Sequence, residues 1–280
     1  DFIQLIDMKI ARKAEIIIMN KKLMLSLCAA GAITVSGCTT VADMAGADTA
    51  TLNATASKSY NEMVQDARNK NQLDTSSTTY KRINTVFQRL IPYANQMNQT
   101  GQPFQWQLAV LKSDQVNAFV APGGKVVFYT GIVNKLNLTD AEIAAIMGHE
   151  MVHALEEHAK SKIGAQTLTN LAVSIGSQYV GQSVGGYGGL LLDLGSQFGV
   201  GLPYSRNLES RADKGGLLLM AKAGYDPNAA ITLWQKMNAN DARGNSAIAK
   251  FMSTHPSNND RIAALQQMMP EAMQYYRAAK

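Results

Sequence analysis

The sequence predicts an α+β fold that is mostly helical and contains one small β-sheet. Residues 79–99 and 141–159 have apolar side chains at the spacing of an amphipathic helix. Residues 104–111 alternate large apolar residues with Gln, which is the pattern of a half-buried strand. Residues 117–120 and 125–129 flank an Ala-Pro-Gly-Gly run, which predicts two short strands joined by a turn.

The other elements follow from local composition. Residues 59–69 predict a helix ahead of the one at 79–99. Pro227 predicts the first position of a later helix, and Gly224 can end the helix before it. Residues 163–202 are apolar but Gly-rich and contain Gln and Asp, so we expect two short helices and a Gly-rich link at 185–189 rather than a membrane span.

The run Gly-His-Glu-Met-Val-His at 148–153 is the most informative motif. Thr139 and Glu142 form the pattern of a capping box, which predicts a helix starting just before the motif. Residues four apart on a helix point from one face, so His149 and His153 can hold the same metal ion. Glu150 lies about 100° from His149, beside that metal, where a carboxylate can take a proton from a water activated by zinc.

A zinc ion that keeps one position open for water needs a third protein ligand. Glu209 and Asp213 are four residues apart and share a helix face. Glu209 could bind zinc while Asp213 accepts a hydrogen bond from a ligand imidazole and fixes its tautomer. Alternatively, the two acids only complement the dipole at the start of their helix.

Further motifs lie on both sides of these residues. They are Asn117-Ala118-Phe119-Val120-Ala121-Pro122-Gly123-Gly124, Gly224-Tyr225-Asp226-Pro227, and Thr254-His255-Pro256 with Arg261-Ile262. Taken with the two acids and the motif helix, they resemble the HtpX/CAAX-protease-like zinc metallopeptidases (gluzincins), and in particular their soluble periplasmic lipoprotein branch. The match covers roughly residues 60–270 with the motifs in the expected order.

The resemblance implies a zincin-type metallopeptidase domain that binds one Zn²⁺ per chain. His149, His153 and Glu209 would be the zinc ligands, and Glu150 would be the general base. The small sheet would border the active-site cleft. Its edge, around Asn117, Ala118 and Phe119, would pair with the substrate backbone. Some members append helical repeats after the catalytic domain, and the sequence up to Lys280 contains no such repeat.

Two more histidines need separate interpretations. The resemblance places His255 close to the active site, where it could stabilise the oxyanion or occupy the open zinc position at rest. It could also be a structural turn residue. His158 lies five residues after His153, about 140° away on a continuous helix, so we expect a surface or second-layer residue that does not share the metal. The Gly-rich segment at 176–201 is either a packed loop or a mobile flap over the cleft.

The N-terminus predicts export and lipid attachment. Residues 19–37 have a basic start and a short apolar stretch, and Val35-Ser36-Gly37-Cys38 has the form of a lipobox. These features are typical of a lipoprotein signal peptide. Cys38 would be acylated and attach the protein to a membrane. Residues 1–18 precede this signal and are interpreted as an upstream extension. Residues 38–58 predict a flexible tether, and residues 59–280 the metallopeptidase domain.

Composition limits the classes of partner. Cys28 and Cys38 are the two cysteines, so after signal removal and acylation we expect no disulfide. Five of the 26 basic and three of the 21 acidic residues lie in 1–37, which leaves the rest near charge balance. No basic stripe carries interleaved aromatic residues, so we expect no nucleic-acid partner.

These observations predict a lipid-anchored zinc endopeptidase of the bacterial cell envelope, on the outer membrane and facing the periplasm. The expected substrates are unfolded, misfolded or unassembled envelope polypeptides, by resemblance alone. A different class of function stays open. The protein could be a latent protease that acts mainly as a chaperone-like or adaptor lipoprotein with the outer-membrane assembly machinery.

Overall fold

A computed structural model of the chain describes residues 35–177, 204–244, 246–255 and 259–280. Its helices are α1 (Val35–Met44), α2 (Thr49–Asn69), α3 (Thr78–Met97), α4 (Thr130–Lys135), α5 (Asp140–Leu155), α6 (His158–Ser177), α7 (Arg206–Lys222), α8 (Asn228–Asp241), α9 (Ser246–Thr254) and α10 (Asn259–Ala278). Its strands are β1 (Leu73–Asp74), β2 (Gln107–Leu111), β3 (Ala118–Ala121) and β4 (Lys125–Tyr129). The predicted α+β class with a small sheet is confirmed.

The sheet has the order β1-β2-β4-β3 and is mixed. β2 and β4 are parallel, with Ala109 opposite Val127, whereas β1 and β3 pair antiparallel to their neighbours. The predicted turn between β3 and β4 contains Gly124 at φ 85°, and a Cβ there would lie 2.7 Å from the ring of Trp106. Only glycine fits this turn without moving the indole. β3 is last in the order of the described strands, and this tight turn joins it to β4 as a hairpin.

Both faces of the sheet are covered by helices. Val126 and Phe128 face the main core with α3 and α5, while Ala109 and Val127 pack under α2 against Tyr60. A strand buried on both faces has a nearly continuous apolar sequence rather than strict alternation, and Lys125–Tyr129 shows this. The helix α2 is thus a structural layer of the domain.

The helices α5 and α7 cross with their backbones in direct contact. A Cβ at Gly216 would lie 2.6 Å from the backbone nitrogen of His149, and one at Gly148 would lie 2.9 Å from the carbonyl oxygen of Gly216. No side chain larger than hydrogen fits at either position. This crossing places the predicted metal ligands of the two helices side by side.

The structure differs from the prediction of a flexible tether at 38–58. Helices α1 and α2 occupy this stretch, because its small apolar residues are buried against α6. Ala42, Ala47 and Leu52 form a small core with Ile163, and the Asp48 carboxylate caps α2 by accepting a hydrogen bond from Thr51. Alanine and threonine content resembled that of a linker, but packing against a distant helix determines the structure here.

The predicted helix at 141–159 is also interrupted. It ends at Leu155, Glu157 adopts a positive φ of 53°, and α6 begins at His158. The Gly-rich link predicted at 185–189 lies outside the described residues. Among the residues that the structure describes, no helix combines the length and apolarity needed to cross a membrane.

Candidate active site

The helix α5 presents the motif residues on a rigid, well-capped segment. The Thr139 hydroxyl accepts a hydrogen bond from Glu142 N (3.2 Å), and the Glu142 carboxylate accepts one from Thr139 N (2.8 Å). This is the predicted capping box, and it satisfies two amide groups at the start of the helix. His149, Glu150 and His153 are all buried about two to four turns later.

Four side chains converge on one point between α5, α7 and the end of α9. They are His149, His153, Glu209 and His255, whose ligand atoms all lie within 4.8 Å of one another. The Nε2 atoms of His149 and His153 are 3.0 Å apart. Glu209 Oε1 lies 3.3 Å from His153 Nε2, and its Oε2 lies 3.4 Å from His149 Nε2. The structure therefore brings together the three predicted ligands.

The spacing of these atoms fits a metal ion. Tetrahedral zinc with ligand bonds near 2.0–2.1 Å places its ligand atoms about 3.3 Å from each other. The three pairs of atoms from His149, His153 and Glu209 lie between 3.0 and 3.4 Å apart. Two imidazoles and a carboxylate are also a donor set that zinc prefers. The residues thus match zinc in number, chemistry and distance.

The Asp213 carboxylate contacts the ring nitrogen of His149 that faces away from the other ligands, as the sequence predicted. Its Oδ1 lies 3.0 Å from His149 Nδ1, so the opposite nitrogen of the ring faces the other ligands. Arg261 in turn donates two hydrogen bonds of 2.6 Å to the Asp213 carboxylate and lies 2.7 Å from Glu209 Oε2. The guanidinium also stacks over the Trp234 ring at 3.9 Å. The sequence flagged Arg261 as a motif residue, but its role as the partner of both acids was missed.

The electrostatic field of the site favours a cation. Burial lowers the pKa of His149, but the charges of Glu209 and Asp213 outweigh it and raise that pKa to about 10. Burial would raise the pKa of Glu209, yet the surrounding histidines, above all His149, hold it far below its usual value. The same two carboxylates that stabilise a proton on His149 would stabilise a metal ion in its place.

Glu150 lies beside the cluster rather than in it. Burial raises the pKa of its carboxyl above the usual value. Its Oε1 is buried without a hydrogen bond among the described residues and lies 3.4 Å from His255 Nε2. A buried carboxylate oxygen with no donor is available to a water molecule or to a substrate. Its position matches the predicted general base.

His255 lies close to two of the predicted metal ligands. Its Nδ1 lies 3.1 Å from Glu209 Oε1 and 3.4 Å from His149 Nε2, and its ring stacks on Phe251. It is therefore in position to complete a four-ligand set.

Two aromatic side chains, His158 and Tyr204, contact His153. His158 is fully buried against the back of His153, so it is a second-layer residue, and burial lowers its pKa. The ring of Tyr204 stacks on His153 at 4.0 Å, and Lys162 lies over the same tyrosine. No motif in the sequence includes Tyr204, which lies two residues before the start of α7.

A small pocket lies between His153 and the β3–β4 hairpin. Its lining includes Val120 and Pro122 of the hairpin, together with Phe104 and Leu52. The predicted substrate edge, residues 117–119, directly precedes Val120 in the chain. Ala118 is buried, Phe119 is partly exposed, and the Asn117 side chain accepts a hydrogen bond from Ala118 N. β3 pairs only with β4 among the described strands, so its other edge is where a further strand could add.

The sequence profile of peptidase family M48 matches residues 77–269, which contain every ligand candidate. The chain belongs to peptidase family M48. Zinc is the metal of this family, and the cluster on α5, α7 and α9 is a site that could bind it. The predicted resemblance to zinc metallopeptidases is therefore confirmed at the level of the family.

Known proteins similar to this chain include both mitochondrial and bacterial peptidases. The metalloendopeptidase OMA1 of Schizosaccharomyces pombe is 35% identical over 190 residues, which cover 68% of this chain and 53% of that protein. OMA1 of Bos taurus is 31% identical and covers 76% of this chain and 42% of its own length. The beta-barrel assembly-enhancing protease of Escherichia coli K12 is 26% identical, at 65% and 37% coverage. The chain spans about half or less of these relatives, and its assignment to a lipoprotein branch stays a prediction.

Proposed function

We propose that the protein is a zinc-dependent endopeptidase. The observation that carries this proposal is the convergence of His149, His153 and Glu209 at spacings that suit tetrahedral zinc, with Glu150 buried beside them. Membership of family M48 and the similarity to metalloendopeptidases support it.

The chain's own residues account for the steps of peptide hydrolysis. His149, His153 and Glu209 would hold the metal, which when bound supplies a Lewis acid that polarises a peptide carbonyl and acidifies a water. Glu150 takes the proton from the attacking water and then passes it to the leaving amine. Asp213 keeps His149 in the tautomer whose Nε2 lone pair faces the metal position, and Arg261 keeps Asp213 ionised and in place.

The substrate is proposed to bind as an extended strand along β3. Among the described strands β3 pairs only with β4, so its other edge offers backbone groups, and Val120 and Pro122 of the same hairpin line a pocket next to His153. Recognition through backbone hydrogen bonds depends little on the side chains of the substrate. This suits unfolded, misfolded or unassembled polypeptides.

The location and anchor are proposals from the sequence. A lipoprotein signal at 19–37 with acylation of Cys38 would place the protein on the outer membrane, facing the periplasm. The similarity to a bacterial beta-barrel assembly-enhancing protease supports a role in the envelope and contact with its assembly machinery. The similarity to mitochondrial OMA1 supports the peptidase but not this location.

A second function, a latent protease acting mainly as a chaperone or adaptor, is favoured by one observation. His255 lies within ligand distance of Glu209 and His149, where it could close the fourth metal position. Degradation of an unfolded protein, with and without a chelator, separates the two functions. We expect chelator-sensitive cleavage. Zinc-loaded protein that protects the unfolded protein from aggregation but never cleaves it would support the second function instead.

A further inference from the structure

The two imidazoles predicted to bind zinc contact different chemical groups through their Nδ1 atoms. His149 is held by the carboxylate of Asp213 at 3.0 Å. In the part of the chain that the structure describes, no carboxylate contacts Nδ1 of His153, and the atom found there is Nδ1 of His158, at 2.8 Å. An imidazole can bind zinc through Nε2 only if that nitrogen carries a lone pair, so the proton of His153 belongs on Nδ1.

The hydrogen bonds behind His153 form a directed chain. With its proton on Nδ1, His153 donates to Nδ1 of His158, which then carries its own proton on Nε2. That Nε2 lies 3.1 Å from Glu156 Oε2 and donates to it. Arg211 Nε donates to the same carboxylate oxygen at 2.6 Å. Every donor has an acceptor, and both imidazoles are neutral.

A break in the helix puts His158 in this place. On an uninterrupted helix, His158 would point about 140° away from His153. Instead α5 ends at Leu155 and Glu157 adopts φ 53°, which is uncommon and costly for a residue other than glycine. The chain turns, α6 starts at His158, and the imidazole is fully buried against His153. Because Glu157 adopts this conformation, the side chain of His158 contacts the Nδ1 side of the His153 ring.

We propose that His158 is a positioning residue for the zinc ligand His153. It fixes the tautomer and the ring orientation of His153, with Glu156 and Arg211 fixing His158 in turn. The proposal rests on the zinc site of the proposed function. It predicts that the acceptor atom at this position, and not only the volume of the imidazole, contributes to metal affinity.

The test compares zinc affinity in two substitutions of His158. His158→Leu fills most of the space but offers no acceptor, and we expect zinc to bind about 10–100-fold more weakly, as for other groups behind a metal ligand. His158→Asn places an amide oxygen near the position of the lost Nδ1, so it should recover most of this loss. Zinc affinity is measured on the metal-free protein by competition with a chromophoric chelator, and the Co²⁺ absorption spectrum reports the geometry of the site.

A matched control separates positioning from loosening of the turn. Lys160 lies in the first turn of α6 and binds Asp43 and Thr49, away from the ligands. Lys160→Met should lower the melting temperature while zinc affinity stays at the wild-type value. If His158→Leu does not fold, Glu156→Ala replaces it, because Glu156 is partly exposed and its loss frees His158 Nε2. We then expect a smaller loss of affinity in the same direction.

The outcomes distinguish a positioning role of His158 from a packing role. Weak binding in His158→Leu with recovery in His158→Asn supports the proposal. Unchanged zinc affinity in His158→Leu, or equal losses in both variants, overturns it and leaves a packing role. A wild-type protein that binds no zinc overturns the proposed function itself, and this inference with it.

Discussion

Arg261 donates two parallel hydrogen bonds of 2.6 Å to Asp213, and the pair is almost completely buried. The residues are 48 positions apart, on α10 and α7. Because a buried guanidinium faces both Asp213 and Glu209, it offsets the negative charge that the site concentrates around the metal position. The pair therefore links the stability of the domain to the chemistry of its site.

Removing this cation should destabilise the metal-free protein strongly. Arg261→Met leaves Asp213 and Glu209 buried without their partner, a change that typically costs about 3–5 kcal/mol. Lys70→Met removes an exposed ion pair with Asp66 and should cost less than about 1 kcal/mol. Urea unfolding followed by circular dichroism measures both. A loss in Arg261→Met no larger than in Lys70→Met would contradict the structural role of the pair.

Glu150→Gln should separate metal binding from catalysis. The amide keeps the shape of the side chain but cannot accept the proton, so proteolysis should fall by about 10²-fold or more while zinc stays bound. Glu271→Gln changes an exposed acid on α10 and should retain full activity. Wild-type turnover by metal-loaded Glu150→Gln would reject Glu150 as the base.

Glu209 and Asp213 should affect zinc to different degrees. Glu209→Ala removes a ligand, so zinc occupancy and activity should fall together. Asp213→Asn removes only the charge that holds His149, and zinc should bind about 10–100-fold more weakly. Metal analysis after gel filtration measures occupancy. Full occupancy in Glu209→Ala would show that another residue, with His255 the nearest candidate, completes the site.

His255→Ala has two possible results of opposite sign. If His255 closes the fourth metal position at rest, its removal should raise the basal cleavage of an unfolded substrate with zinc content unchanged. If it stabilises the oxyanion, turnover should fall by about 10²-fold. Its contact with Glu209 at 3.1 Å favours the first result. An unchanged rate in metal-loaded protein would reject both roles.

Cys38→Ser should abolish lipidation. Without the thiol, no acyl chain can be attached, so palmitate labelling of whole cells should detect the wild type and not the variant. Serine at the neighbouring Thr39 keeps the thiol and serves as the matched control. Equal labelling of the wild type and Cys38→Ser would reject the lipobox.

Local signals in the sequence were enough to predict the centre of the site. The capping box at Thr139 sets the start of α5, and helical spacing then places His149 and His153 on one face, as the structure has them. The strand Lys125–Tyr129 agrees residue for residue, because its apolar run and its Gly-Gly turn are both local features.

The remaining features depend on contacts that the sequence does not encode locally. The turn at Glu157 has no signature, since the positive φ belongs to a glutamate, and the position of His158 follows from that turn. The roles of Arg261 and Tyr204 depend on elements far apart in the chain. Helical structure replaces the predicted tether at 38–58 because burial against Ile163 outweighs a linker-like composition.

The contact between Gly148 and Gly216 determines how accurately the site is built. No side chain separates the two helices there, so the thickness of the polypeptide backbone sets the distance between them. Side chains can change rotamer to absorb a disturbance, but a backbone cannot. The distance from Glu209 to the two histidines is therefore set by the direct backbone contact of α5 and α7. A single added methyl group at Gly216 would push the two helices apart and move Glu209 away from His149 and His153.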